Sequence, residues 1–368
     1  MRIRVDIAAL AIVLASCGTD SPESVPGPRR TVLISAADVV ILPTYKSLVD
    51  ATAALAAAAN RLQTNPSGAA LTEAQNAWRS ARRPWKQSEA FRFGPSEDLR
   101  LRLRSKIDWS PANPNLIEQE VARNAAFPPE VIDALGTSRR GFLALEYLLF
   151  DGDGGDPAVL AAFAGPNGDR RLAYIVGLAA DIHRQSSLLL EEWLPEGGNF
   201  RGELITAGQG STAYPEFEDA IDDVVGAMVL LATTIEEKKV GAPAGLPRGT
   251  PHPDDVEAAL SDNAVADILD NLQGIENMYR CTYDDRQALG LGDLVASGAP
   301  DLDDAIRLAS DAAQRAVRAI PAPLQQSVVI YPDAVRHAHD KLHELRLALA
   351  VDLVSALGAT PRFNSDGD

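Results

Sequence analysis

Cysteine is almost absent from this chain of 368 residues, with only Cys17 and Cys281 present. Cys281 has no partner once Cys17 is spent in the leader described below. That excludes a disulfide framework, so the fold must stand on its hydrophobic core. Positive charge is also scarce. Lys and Arg number 34 against 51 Asp and Glu, a formal net charge of −17. This argues against a nucleic-acid partner, whose phosphates need Lys and Arg. The acidic balance favours solubility and is compatible with cation binding. No alternating strand pattern of useful length occurs, which leaves little room for a sheet. No His-Glu-x-x-His motif is present. Beyond the leader, no stretch reads as long and apolar enough to cross a membrane. What is abundant is hydrophobic residues, at 46%, with Ala, Leu, Glu, Arg and Asp prominent and Gly and Pro gathered between long segments. That composition predicts an all-helical fold.

The N-terminus reads as a lipoprotein leader. Arg2 and Arg4 precede the short apolar run Ile7–Ala15, and Leu14-Ala15-Ser16-Cys17 follows. This resembles a bacterial lipobox, in which small residues precede a cysteine that becomes the lipidated N-terminus. Residues 1–16 are then the signal peptide and Cys17 the lipid anchor. Residues 17–35, rich in Ser, Pro, Thr and Gly, read as a flexible tether. The resulting expectation is a bacterial envelope protein, periplasmic or on the outer surface, joined to the membrane through Cys17.

Helical periodicity recurs through the rest. It predicts helices over Val39–Leu62 (bent near Pro43), Leu71–Phe93, Val131–Phe150 and Arg170–Trp193. After the Gly- and Pro-rich Leu194–Ser211, it predicts Phe217–Lys239, a helix from Asp254 or Asp255 to about Tyr279, Leu302–Ile320 and Ala334–Leu357, stopped by Gly358. Two four-helix-type bundles packed side by side, residues 36–197 and 205–358, follow from this pattern, with a tail at 359–368.

Four blocks, in order, carry a family resemblance. Trp78-Arg79-Ser80-Ala81-Arg82-Arg83-Pro84-Trp85 runs into Ser88-Glu89-Ala90-Phe91-Arg92-Phe93-Gly94-Pro95. Ile107-Asp108-Trp109-Ser110-Pro111 comes next. Glu257 to Tyr279 contributes Glu257, Ser261, Asp267, Asn271 and Gly274. The chain closes on Phe363-Asn364-Ser365-Asp366-Gly367-Asp368. Together they resemble the imelysin-like proteins over nearly the whole mature chain. The resemblance implies two helical bundles with a cleft between them, a bacterial envelope location, an association with iron acquisition, and a family first classed as metallopeptidases. It also implies a Gly-x-His-x-x-Glu motif on a helix. Here that segment is Gly141-Phe142-Leu143-Ala144-Leu145-Glu146. Leu143 stands in place of the histidine and has no lone pair or exchangeable proton.

The expected cleft residues are Glu89, Asp108, Glu146, Glu257, Ser261, Asp267 and Asn271. Glu89 and Glu146 lie in apolar or aromatic helix segments, where an unpaired carboxylate is costly. They are read as cation ligands, with Asp267 and Asn271 reaching from the second bundle; the bland alternative is ion pairing with Arg79, Arg82, Arg83 or Arg139. Hard oxygen donors suit iron or calcium. His339 and His343 are four apart on one helix face and form a second metal candidate. The acidic Asp151–Asp156 loop reads as a polar turn, because Ala162 occupies the position where a calcium loop needs an acid. The preferred reading is a non-catalytic envelope lipoprotein that holds a small ligand or metal ion between its bundles. One alternative is a metallopeptidase using a displaced histidine from His337–His343. The other is a binding module for an envelope polysaccharide or a partner protein.

Overall fold

A computed structural model of the protein describes residues 27–123, 126–246, 249–321 and 323–360. The expected signal peptide at 1–16, Cys17 and the final motif at 363–368 lie outside these residues. The principal helices are α1 (Pro28–Thr64), α2 (Gly68–Ser88), α3 (Gly141–Leu149), α4 (Gly168–Trp193), α5 (Phe217–Thr233), α6 (Ala264–Arg280), α7 (Pro300–Arg318) and α8 (Pro332–Leu347). Helix α5 runs on through a π-helical stretch, Thr234–Gly241, and α8 through another, Ala348–Leu353.

Helices α1 to α4 pack on one another as the first bundle, and α5 to α8 form the second. They meet along α2 and α6. The buried side chains form one connected apolar cluster through both bundles, so the halves share a core. The closest approach depends on Gly274. A Cβ there would lie 2.3 Å from the Gln87 carbonyl oxygen, so only glycine lets α6 come this near to α2.

The structure revises several sequence expectations. The tether does not extend to residue 35, because helix begins at Pro28 with proline at its first turn. Val32 and Leu33 are buried, and Arg30 donates to the carbonyls of Ile205 and Ala207 at 2.7 Å. Arg29 donates to the Leu357 carbonyl at 2.5 Å. The start of α1 is thereby stitched to both the inter-bundle connection and the last helix. Pro43 is accommodated by a π-helical stretch, Ala36–Ile41, which rearranges the backbone bonds that the missing N–H would disturb. By length and composition α1 also passes as a membrane-crossing helix, contrary to the sequence reading, but 56% of its most apolar window is buried in the fold. It is a core helix.

Val131–Phe150 is not one helix. It breaks into Pro129–Asp133, Thr137–Arg139 and α3. The helix foreseen from Asp254 or Asp255 starts only at Ala264, because Ala258 and Asp262 adopt positive φ. A two-residue antiparallel hairpin, Thr282–Tyr283 with Arg286–Gln287, follows α6. Asp151 closes the acidic loop by accepting from the backbone of Asp153 and Gly154, the polar turn that was anticipated. The 194–211 connection is anchored, not loose. Its short helix Phe200–Ile205 sets Phe200 against Trp193 at 5.0 Å between ring centres, and Arg201 pairs with Asp38.

Candidate functional site

Helical spacing places Trp78, Arg82, Trp85 and Lys86 on the α2 surface that meets the second bundle. Arg82 and Lys86 are 0% and 1% exposed. Their burial is made possible by partners from both halves. The Arg82 guanidinium lies over the rings of Trp78 and Phe142, at 5.1 and 5.6 Å. It donates to Asp267 Oδ2 (3.0 Å from Nε), Asp108 Oδ1 (3.1 Å) and Glu257 Oε1 (2.9 Å). Lys86 Nζ donates to Glu89 (3.1 Å), Asp108 (2.9 Å) and Glu257 (2.5 Å). Lys239, from the π-helical stretch after α5, donates to Glu89 Oε2 (3.1 Å) and Asn271 Oδ1 (2.8 Å). Asn271 Nδ2 in turn donates to the Lys86 carbonyl and to Glu89 Oε2. Trp85 Nε1 donates to Asp108 Oδ2, and Asn263 Nδ2 to Asp267 Oδ1.

Burial opposes the charges of Arg82, Lys86, Glu89 and Glu257, and neighbouring opposite charges overcome it. Asp108, Asp267 and Glu257 hold the Arg82 pKa well above its ordinary value, and Asp108, Glu257 and Glu89 do the same for Lys86. Lys239 and Lys86 hold Glu89 and Glu257 below the usual carboxylate range despite desolvation. Glu89 and Asp267, both foreseen as cation ligands, are therefore already held by ammonium and guanidinium groups.

Beside this network lies a cavity of about 350 Å³. Glu89, Asp108 and Glu257 reach it together with Lys86 and Lys239, while Arg92, Arg104, Lys238 and Asp255 complete its charged lining. Arg92 and Arg104 both pair with Glu97 at 3.2 Å. The lining sets Lys86, Arg92, Arg104, Lys238 and Lys239 against Glu89, Asp108, Asp255 and Glu257, close to balance in a chain of net charge −17. Trp109 is the aromatic residue of the lining; one ring offers little stacking surface for a polysaccharide.

Glu146 and Ser261 do not line this cavity. Glu146 is 4% exposed, and its Oε1 accepts from the Ser261 backbone N–H at 2.9 Å and from Ser261 Oγ at 2.6 Å. The pair clasps α3 to the loop before α6. Desolvation pushes the Glu146 pKa up to about 7 against the pull of these hydrogen bonds and of Arg82. Leu143 is also buried, at 5%. The motif's glycine has a steric role. Gly141 opens α3 at φ +78°, and a Cβ would meet the Ile107 carbonyl at 2.4 Å. It thereby sets α3 tightly against the segment that presents Asp108.

The proposed ligand set of Glu89 and Glu146 with Asp267 and Asn271 is thus divided between a salt-bridge network and a sealed clasp. The arginine partners considered for Glu89 and Glu146 are engaged elsewhere: Arg139 pairs with Glu120, and Arg83 with Asp270. Among the described residues, no group of three or more His, Cys, Asp and Glu side chains is placed to hold a metal ion. His343 Nδ1 lies 2.8 Å from Glu236 Oε1, and His339 Nε2 3.9 Å from the same oxygen. Arg346 occupies Glu236 Oε2. These histidines share no partner with Glu146, so the displaced-histidine peptidase gains no metal-holding cluster. The residues do not fit a bare catalytic ion.

Lys86 and Lys239 were not singled out from the sequence. Lys86 carried a signal, since it lies four residues after Arg82 and three before Glu89. Lys239 carried none, because its approach depends on how α5 unwinds into a π-helical stretch.

The comparisons with known proteins agree with this architecture. The chain is 29% identical over 294 residues to iron-regulated protein A of Synechococcus elongatus, covering 79% of this chain and 76% of that protein. The crystal structure of an iron-regulated protein A precursor from Parabacteroides distasonis superposes with a TM-score of 0.78 at 22% identity, covering 91% of this chain and 97% of the other. An imelysin-like protein from Psychrobacter arcticum gives 0.73 at 17% identity, with the same coverage. The imelysin family profile matches residues 41–350. With the motif blocks at 78–95, 107–111 and 257–279 meeting at one seam and the profile spanning both bundles, the chain belongs to the imelysin family.

Proposed function

We propose that this protein is a non-catalytic, lipid-anchored envelope protein that captures a small charged ligand in the cavity between its bundles. The observation that carries the reading is the lining itself: carboxylates of Glu89, Asp108, Asp255 and Glu257 stand among Lys86, Lys239, Arg92, Arg104 and Lys238. A bare cation would have to displace buried ammonium and guanidinium groups, at the cost of leaving those charges unpaired. An anionic complex that brings its own carboxylates meets exposed Lys238 and the one-charge excess of cations in the lining without breaking those pairs. The iron-regulated relative makes a polycarboxylate chelate of ferric ion the natural form of such a ligand. Leu143 in the motif and the sealed state of Glu146 support a binding role over a hydrolytic one.

Titration calorimetry with ferric citrate, free citrate and calcium chloride tests this. Ferric citrate binds, calcium gives no signal, and Lys238→Glu weakens ferric citrate severalfold by reversing a charge on an exposed position of the lining. Absence of any heat with both ferric citrate and citrate refutes the proposal.

A further inference from the structure

We infer that the second bundle contains a separate binding site for a small uncharged amphiphile, a single ring carrying a hydroxyl or carbonyl group. A cavity of about 220 Å³ lies among α6, α7 and α8, and it shares no lining residue with the inter-bundle cavity. Its apolar walls are Ile275, Ile306, Leu345 and Leu349, none more than 2% exposed.

Two buried polar side chains interrupt these walls, and one is satisfied: Tyr279 donates its hydroxyl to Asp303 Oδ1 at 2.7 Å. Ser310 lines the cavity at 8% exposure, and its Oγ has no hydrogen-bond partner. A helical Ser or Thr ordinarily satisfies its hydroxyl on the carbonyl four residues back. Thr233 and Thr234 on α5 do so here, at 2.9 and 2.8 Å. Ser310 does not, and an orphaned buried hydroxyl calls for a partner from outside the chain.

The mouth sets the charge of the guest. Arg280 and Arg307, each nearly half exposed, stand with Glu276 and Asp311. Glu276 is paired with Arg280 at 3.0 Å and accepts from Gln314 at 2.7 Å, while Arg307 is tied to Asp303. The two arginines and two carboxylates of the lining balance, so no net field draws an ion inward. Size sets the rest. A dry apolar cavity of about 150 Å³ accepts benzene, so this one takes one substituted ring. Leu349 belongs to the π-helical stretch Ala348–Leu353, a local irregularity that recurs at functional sites.

The test uses the full chain with p-cresol, toluene and benzoate, followed by ligand-observed NMR and calorimetry. p-Cresol binds at least tenfold more tightly than toluene, and benzoate is weakest. Ser310→Ala brings p-cresol down to the level of toluene and leaves toluene unchanged. Ser310→Leu, which fills the space, loses both, and circular dichroism checks that it is folded. Should it not fold, the Ser310→Ala comparison decides alone. No p-cresol binding to the wild type, equal wild-type affinity for p-cresol and toluene, or an unchanged ratio in Ser310→Ala overturns the inference.

Discussion

Replacing Glu146 with glutamine separates the clasp from its charge. The amide keeps an oxygen to accept from the Ser261 backbone and hydroxyl, so the hydrogen bonds at 2.9 and 2.6 Å survive. What disappears is the desolvated carboxylate. Burial lifts its pKa from 4.5 to about 7. The folded state therefore binds a proton more readily than the unfolded state, and stability falls as pH rises from about 4.5 through 7. At 1.36 kcal/mol per pKa unit, the full penalty above pH 7 is about 3 kcal/mol. Glu146→Gln is free of it. Urea denaturation of both proteins at pH 5 and pH 8 reads the difference. The glutamine variant gains on the wild type by roughly 2 to 3 kcal/mol between the two pH values, and at pH 8 it is the more stable protein. A stability gap that does not move with pH, or a variant less stable at pH 8, refutes the argument.

Three further outcomes follow from the same geometry. Arg82→Met leaves Asp267 and Asp108 buried without their shared guanidinium and lowers stability by roughly 3–5 kcal/mol in urea denaturation, the range for breaking a buried ion pair; a loss under about 1 kcal/mol would show that the network is not desolvated. Gly274→Ala drives a methyl group against the Gln87 carbonyl and lowers the melting temperature, by about 1–3 kcal/mol of overpacking; an unchanged melting temperature would mean that α2 and α6 part at no cost. Cys281 is 1% exposed and burial pushes its thiol up to about 12, so iodoacetamide at pH 8 leaves it unmodified in the folded protein and alkylates it in urea; prompt native labelling would contradict its burial.

Much of this was legible in the order of residues. Helical periodicity marked the principal helices, and the motif blocks identified the family. Glu89, Asp108, Glu257, Asp267 and Asn271, scattered from residue 89 to 271, do gather at one seam. Apolar spacing and glycine stops act within a few turns of chain and so marked the helices, while the gathering of these residues was what the family resemblance implied. Local pattern failed where a local break decided the outcome. Positive φ at Ala258 and Asp262 delays the start of α6 to Ala264, and Gly141 at positive φ opens α3 as a separate short helix.

The electrostatic character of the site belonged to the tertiary structure. Sequence showed acidic residues in conserved-looking company and a missing imidazole at Leu143. It did not show that Lys86 from α2 and Lys239 from the end of α5 would converge on the same carboxylates. Nor did it show that Glu146 would turn inward to Ser261. Whether a carboxylate is a ligand or half of an ion pair depends on which charges lie within a few ångströms and on how much water remains between them. Those distances are fixed only when two helices far apart in the chain are packed into contact.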